Sequence, residues 1–261
     1  MTQYELVNKV YFDNEPEINK RVALSKFPET YRTLKAFHFK TNDFLTSLIQ
    51  MEQNENFYSS QCLSRVLYEH FLVAYFIWTR TRVEQNDECA IDYTQHYATY
   101  EMIKQENYNS KLDKSYDSKK SPLENFLLKA PEFNDPIDPL NQANIDDINK
   151  RANKFDVRNI LKYLENELDP KDEFKSIQTI VLEICKGYNK LSSYVHGGRT
   201  AELATLEDTP RTDKAKVLKD NVEWAKFFNY EILTFIMLLL IAENKSFMKF
   251  YQPIYDFTNQ K

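Results

Sequence analysis

Residues 62–78 read CLSRVLYEHFLVAYFIW. Wound as a helix, this run is apolar almost all the way round, which marks a helix buried on every side. Its only formal charges are Arg65 and Glu69. Four residues apart, they share one face. Charges in an apolar setting must be paired and hydrogen-bonded. The pair is therefore either a structural polar cluster or the lining of a site. His70 follows them, but it aligns with Val66, Val73 and Ile77 on an apolar stripe. It reads as a core or supporting histidine.

The flanking sequence extends the helical pattern in both directions. Pro28 suits the first turn of a helix over 28–52. Tyr31, Leu34, Phe37, Phe44, Leu45, Leu48 and Met51 recur there near helical spacing. His38 lies beside this face as a packed or surface histidine. Further helices are expected over 55–84, 88–110, 155–168, 172–196 and 217–250. His96, among polar neighbours in the third of these, has no assigned role. The chain holds three glycines in 261 residues. Rossmann sheets, phosphate loops and β-hairpins all use glycine in their turns. The expectation is one all-α domain, a helical bundle of about six to seven helices, with residues 1–27 as an arm or short helix. Residues 109–150 hold Pro122, Pro131, Pro136 and Pro139, four of the nine prolines. They read as an excursion from the bundle, a lid or a partner-binding element.

The net charge is −5, so there is no global basic field of the kind general nucleic-acid binders show. Cys62, Cys89 and Cys185 are odd in number and widely spaced, which suits a reducing cytoplasm rather than a disulfide framework. The N-terminal stretch lacks an apolar signal core. The longest apolar run, Ile232 to Ala242, is too short to span a bilayer and is flanked by Glu231 and Glu243. No membrane role and a cytoplasmic location are expected. Neither phosphate-loop nor dinucleotide glycine patterns occur. The four histidines show no H-x-x-x-H spacing, so no metal and no cofactor are expected.

All three glycines, Gly187, Gly197 and Gly198, flank one stretch, YNKLSSYVHGGRT from Tyr188 to Thr200. Asn189, Ser192 and His196 fall on one helical stripe. The stripe ends in a histidine, and Gly-Gly follows as a helix cap. The simplest reading is a capped helix whose histidine favours the negative end of the dipole. The other reading is a site.

Arg65, Leu67 and Glu69 on a buried helix, with Leu191, Ser192, Tyr194, Val195 and His196 at the end of a later one, resemble the HEPN-like superfamily. The resemblance is to the bacterial branch with a late L-S-x-Y-V-H motif. It implies an all-α fold, a homodimer, and a metal-independent ribonuclease of toxin–antitoxin or antiviral defence systems, partnered by an antitoxin or defence protein. The active members carry an arginine four to six residues before the histidine. Here Asn189 and Lys190 stand upstream of His196. An arginine and histidine of that spacing occur at Arg65 and His70, about 140° apart around the helix. An inactive HEPN-like scaffold is thus the alternative to a nuclease.

RNA cleavage of this kind would take its proton transfers from His196. Arg65 or Arg199 would hold the phosphate, since the guanidinium fork fits phosphate oxygens. Glu69 would orient Arg65 or the imidazole. Asn189 and Ser192 would hydrogen-bond the phosphate or the ring, and Tyr194 would stack on a base. A polar network of Arg65, Glu69 and His196 would serve a purely structural purpose equally well.

Overall fold

The structure, a computed structural model, describes residues 1–112, 120, 122–129, 141–167, 184, 186–188, 190–196, 198 and 211–259. The described residues are helical throughout, with no strand among them. Eleven α-helices have both ends among them. They are α1 (Gln3–Asp13), α2 (Glu15–Val22), α3 (Pro28–Gln53), α4 (Phe57–Glu84), α5 (Glu88–Ile91), α6 (Ala98–Leu112), α7 (Pro122–Lys129), α8 (Gln142–Ala152), α9 (Val157–Glu167), α10 (Arg211–Glu243) and α11 (Met248–Asn259). Residues 186–188 and 190–195 are also helical and are called the motif helix below.

The helices outnumber the six or seven expected for local reasons. Residues 1–27 hold two helices, the first started by a capping box in which Thr2 and Glu5 bond each other's backbone N–H. In the proline-rich stretch α7 forms where PLENFLLKA already looks helical, and α8 is added, capped by Asn141 accepting from the Asn144 N–H. The expected last helix breaks at Asn244, whose side chain accepts from the Ser246 N–H and starts a new turn. Arg211, Lys214 and Lys216, expected in a loop, lie within α10.

The chain divides into two compact units, one of Met1–Asp87 with Tyr163–Lys261, the other of Glu88–Lys162. In the first, α3, α4 and α10 pack together, and α1 lies against α10 and α11. The run 62–78 forms part of α4 as expected, and every residue from Phe71 to Thr79 is buried, whereas Cys62, Leu63, Arg65, Val66, Glu69 and His70 are half-buried. Phe71 stacks on Phe228 of α10 with centroids 4.3 Å apart, and Trp78 on Phe235 at 4.8 Å. Each such ring contributes roughly 1.5–3 kcal/mol through burial. Buried polar contacts set the register. Asn221 of α10 donates to Ser60 Oγ of α4 at 2.8 Å, and the Trp78 indole N–H donates to the Phe235 carbonyl at 3.1 Å.

The start of α3 is capped from a distance. Its own N-cap position is Phe27, which offers no side-chain acceptor. Asp87, just past the end of α4, accepts from the backbone N–H of Glu29 at 2.7 Å and of Thr30 at 2.8 Å. These are donors that a helix start leaves open. Segment Asp213–Glu243 of α10 is long and apolar enough to cross a membrane, and 67% of its most apolar window is buried inside the molecule.

In the second unit, a π-helical turn, Asp92–Tyr97, joins α5 to α6. Asp92 is buried and accepts from Arg151 Nη1 at 3.1 Å and from the Lys154 ammonium. The rings of Tyr93 and Tyr97 close on Phe155. His96 lies here, its Nε2 3.9 Å from the Asp92 carboxylate. A smaller cluster of Ile103, Phe126 and Ile145 packs beside Leu127.

Candidate functional site

The motif helix approaches α4 closely because Gly187 carries no side chain. A Cβ at Gly187 would stand 3.0 Å from Cε1 of Tyr68, tighter than nine in ten real Cβ contacts, so the Tyr68 ring would have to give. That approach brings Tyr188 and Ser192, one turn apart, onto Arg65. Arg65 Nε donates to Ser192 Oγ at 3.2 Å, one terminal nitrogen donates to the Glu69 carboxylate, and the other to the Tyr188 hydroxyl. The guanidinium carbon also sits 3.8 Å from the centre of the Tyr188 ring. Ser192 Oγ in turn donates to the Tyr188 carbonyl at 3.0 Å. The Arg65 side chain is 12% exposed and that of Glu69 40%. The arginine is thus sunk in the wall while its carboxylate partner reaches solvent.

His196 stands at the end of this helix and is exposed. Its backbone N–H bonds the Ser192 carbonyl at 3.2 Å, so it lies one turn beyond Ser192 on the same face. Its side chain makes no hydrogen bond or ion pair among the described residues. The helix closes through the Gly198 N–H, which bonds the Ser193 carbonyl at 2.7 Å. That span is the six-to-one bond of a Schellman ending. Gly198 itself keeps out of the left-handed region, and Gly197 lies outside the described residues.

Of the residues singled out by sequence, Arg65, Glu69 and Ser192 come together, and His196 stands one turn further along. Asn189 and Arg199 lie outside the described residues. Tyr194 is 4% exposed, with its ring against Phe57 and Tyr58 at 6.1 and 5.8 Å. Burial pushes its phenol above the ordinary value. Tyr58 beside it is 40% exposed, and its hydroxyl donates to the Tyr194 carbonyl at 2.6 Å. Tyr188, which holds Arg65 through both its hydroxyl and its ring, had no role in the sequence reading. Its i to i+4 spacing to Ser192 is the signal that places both on one face.

His38 and His70 pack among apolar or backbone groups as core side chains do. His70 lies edge-on to Phe37 and Phe44, its Nδ1 2.9 Å from the Val66 carbonyl. His38 is buried, its Nδ1 3.4 Å from the Asn229 carbonyl. Burial holds both below the usual histidine range. No group of three or more histidine, cysteine, aspartate or glutamate side chains able to hold a metal occurs among the described residues.

The site therefore offers a fixed arginine, a half-exposed carboxylate, a hydroxyl and a free-standing histidine. This is a set able to bind an oxyanion and to move a proton. Compared with family models, curated proteins and solved structures, the chain finds no match.

Proposed function

We propose that this protein is a HEPN-like, metal-independent ribonuclease of a bacterial defence or toxin–antitoxin system, with His196 as acid and base. The observation that carries the reading is the bond from Arg65 Nε to Ser192 Oγ. It fixes a cation of the buried helix against the turn that precedes the exposed histidine. His196 follows Ser192 by one turn, its backbone N–H on the Ser192 carbonyl. A phosphate held between them would find its charge stabiliser and its proton carrier on one face. Glu69 would orient the guanidinium. The same reading carries a cytoplasmic homodimer held in check by a partner protein.

A second reading draws on a different observation. Three N–H groups of Arg65 and one face of its guanidinium are engaged by Glu69, Tyr188 and Ser192. An arginine so occupied serves as a lock between helices. The protein would then be an inactive HEPN-like scaffold that binds a partner.

Cleavage of mixed cellular RNA in EDTA separates the two, with wild type compared with a folded His196→Ala variant. Cleavage that disappears in the variant supports the nuclease. Wild-type protein that leaves RNA intact excludes it and leaves the scaffold.

A further inference from the structure

A cavity of about 230 Å³ opens between α1, α2, α3 and α10 of the first unit. It shares no residue with the candidate site. Its floor is Tyr11 of α1, Tyr31 of α3 and Ile236 of α10, each 2% exposed or less. Its mouth is set by Asn19 of α2 and by Lys35 and Arg32 of α3, the two cationic side chains being 34% and 68% exposed. No carboxylate is among the lining residues. Glu15 and Glu29, which pair with Lys35 and Arg32, lie outside the lining.

The floor holds hydroxyls that the fold does not use. The Tyr31 hydroxyl is buried and has no hydrogen-bond partner. The Ser25 hydroxyl beside it is committed to the Glu243 carboxylate. The Tyr11 hydroxyl makes no hydrogen bond among the described residues either. Buried hydroxyls are bonded as a rule, because one left without a partner has lost water and gained nothing. Burial pushes the Tyr11 phenol up to about 12 and the Tyr31 phenol higher still, so both keep their protons and remain donors. At the mouth, Lys35 Nζ donates to the Glu15 carboxylate at 3.2 Å and to Asn19 Oδ1 at 3.1 Å. An ammonium has three donors, so one is unspent. Tyr31 and Lys35 are four apart on α3 and therefore share a face.

We propose that this cavity binds a small carboxylic acid with a ring-sized apolar body, its carboxylate held by Lys35 and the tyrosine hydroxyls. The proposal is independent of the ribonuclease reading. An apolar cavity of about 150 Å³ is enough for a benzene ring. The additional volume here leaves room for a carboxylate beside such a ring. A cationic ligand would face two cations and no lining anion. A neutral apolar ligand would leave the hydroxyls and the ammonium unmatched.

Isothermal titration calorimetry of the full-length protein tests this, with benzoate as the probe. Benzyl alcohol, benzylamine and inorganic phosphate are the comparisons. Benzoate is expected to bind one to one, with a Kd of about 1 mM or below. Benzyl alcohol should bind at least about tenfold more weakly, because it lacks the charge that Lys35 complements. Benzylamine and phosphate should give no binding. Lys35→Met should weaken benzoate by about ten- to a hundredfold, the worth of a hydrogen bond between charged groups. Tyr31→Phe should weaken it by about two- to tenfold. Tyr31→Phe removes a hydroxyl with no partner in the fold, so its urea midpoint should equal or exceed that of wild type. Its loss of affinity then reports the ligand and not the folding.

The proposal is overturned if wild-type protein gives no benzoate binding up to about 10 mM. Benzyl alcohol that binds as tightly as benzoate shows an apolar slot with no carboxylate seat, which also overturns it. Phosphate that competes with benzoate places the anion at the exposed rim without the cavity, with the same result. So does full benzoate affinity in folded Lys35→Met and Tyr31→Phe proteins. RNA cleavage enters none of these outcomes, so the cavity and the nuclease stand or fall separately.

Discussion

The guanidinium of Arg65 both covers the ring of Tyr188, 3.8 Å from its centre, and donates to the hydroxyl of that same ring. A cation over an aromatic face and a charge-assisted bond at its edge fix one side chain in two directions. With Glu69 and Ser192, they tie the motif helix to α4.

Arg65→Met should therefore destabilise the first unit by about 1.5–3 kcal/mol, the range for hydrogen bonds to a charged group. Tyr188→Phe, which keeps the ring, should lose about half as much. Arg65→Lys should resemble the methionine variant, because an ammonium has no fork with which to reach both Ser192 and Tyr188. Urea unfolding curves read all three. Equal stability of wild type and Arg65→Met would show that the tie contributes nothing.

Asp87→Ala should cost about 1–2 kcal/mol, as loss of a helix cap does. The loss falls on α3, although the mutation lies beyond α4, because the carboxylate accepts from Glu29 and Thr30. Hydrogen exchange at those two amides should rise before exchange elsewhere in α3. Unchanged exchange there would refute the remote cap.

Glu231 on α10 is half-buried, with no hydrogen-bond or ion-pair partner among the described residues, and burial pushes its carboxyl from an ordinary 4.5 up to about 7. The folded protein thus binds a proton that the unfolded chain has released between those values. Stability is full below about pH 4.5 and declines as pH rises toward 7. The decline is at most about 3 kcal/mol. Glu231→Gln should remove this slope and leave the opposite one due to His38 and His70. Their folded values lie below the ordinary 6.5, so their contribution is present above that pH and lost as pH falls below it. Urea midpoints from pH 4.5 to 8 test both signs. A wild-type curve that rises steadily to pH 8 would contradict the placement of Glu231.

Gly187→Ala should destabilise by about 1 kcal/mol net. Alanine gains about 1 kcal/mol of helix propensity over glycine, but its Cβ must displace the buried Tyr68 ring. A stabilised variant would mean that the two helices can separate at no cost.

The architecture was legible where periodicity is strong. The run from Cys62 to Trp78 announced a buried helix because apolar residues on every face leave no other solution. The helix start at Pro28 also followed from a local signal, and the helix expected over 155–168 forms as Val157–Glu167. Residues 1–27, read as an arm or a short helix, hold two helices, the first with Leu6, Val7, Val10 and Tyr11 buried on one stripe and Thr2 and Glu5 as its cap. The π-helical turn at Asp92 was not legible, since it is held by Arg151 and Lys154 some sixty residues away. At the candidate site, the pairing of Arg65 with Glu69 was readable from spacing. The contact with Ser192 was not, since it depends on how closely Gly187 lets two helices approach. Tyr194, expected to stack on a base, is instead covered by Phe57 and Tyr58, because which ring is covered is settled by tertiary packing.

The position of α10 in the chain bears on how the protein is made. Its apolar face would aggregate if left bare, and newly synthesised segments emerge in chain order. Its two principal neighbours, α3 and α4, precede it by more than a hundred residues. Both have left the ribosome before α10 appears. The long apolar helix α10 therefore emerges only after both of the helices it packs against.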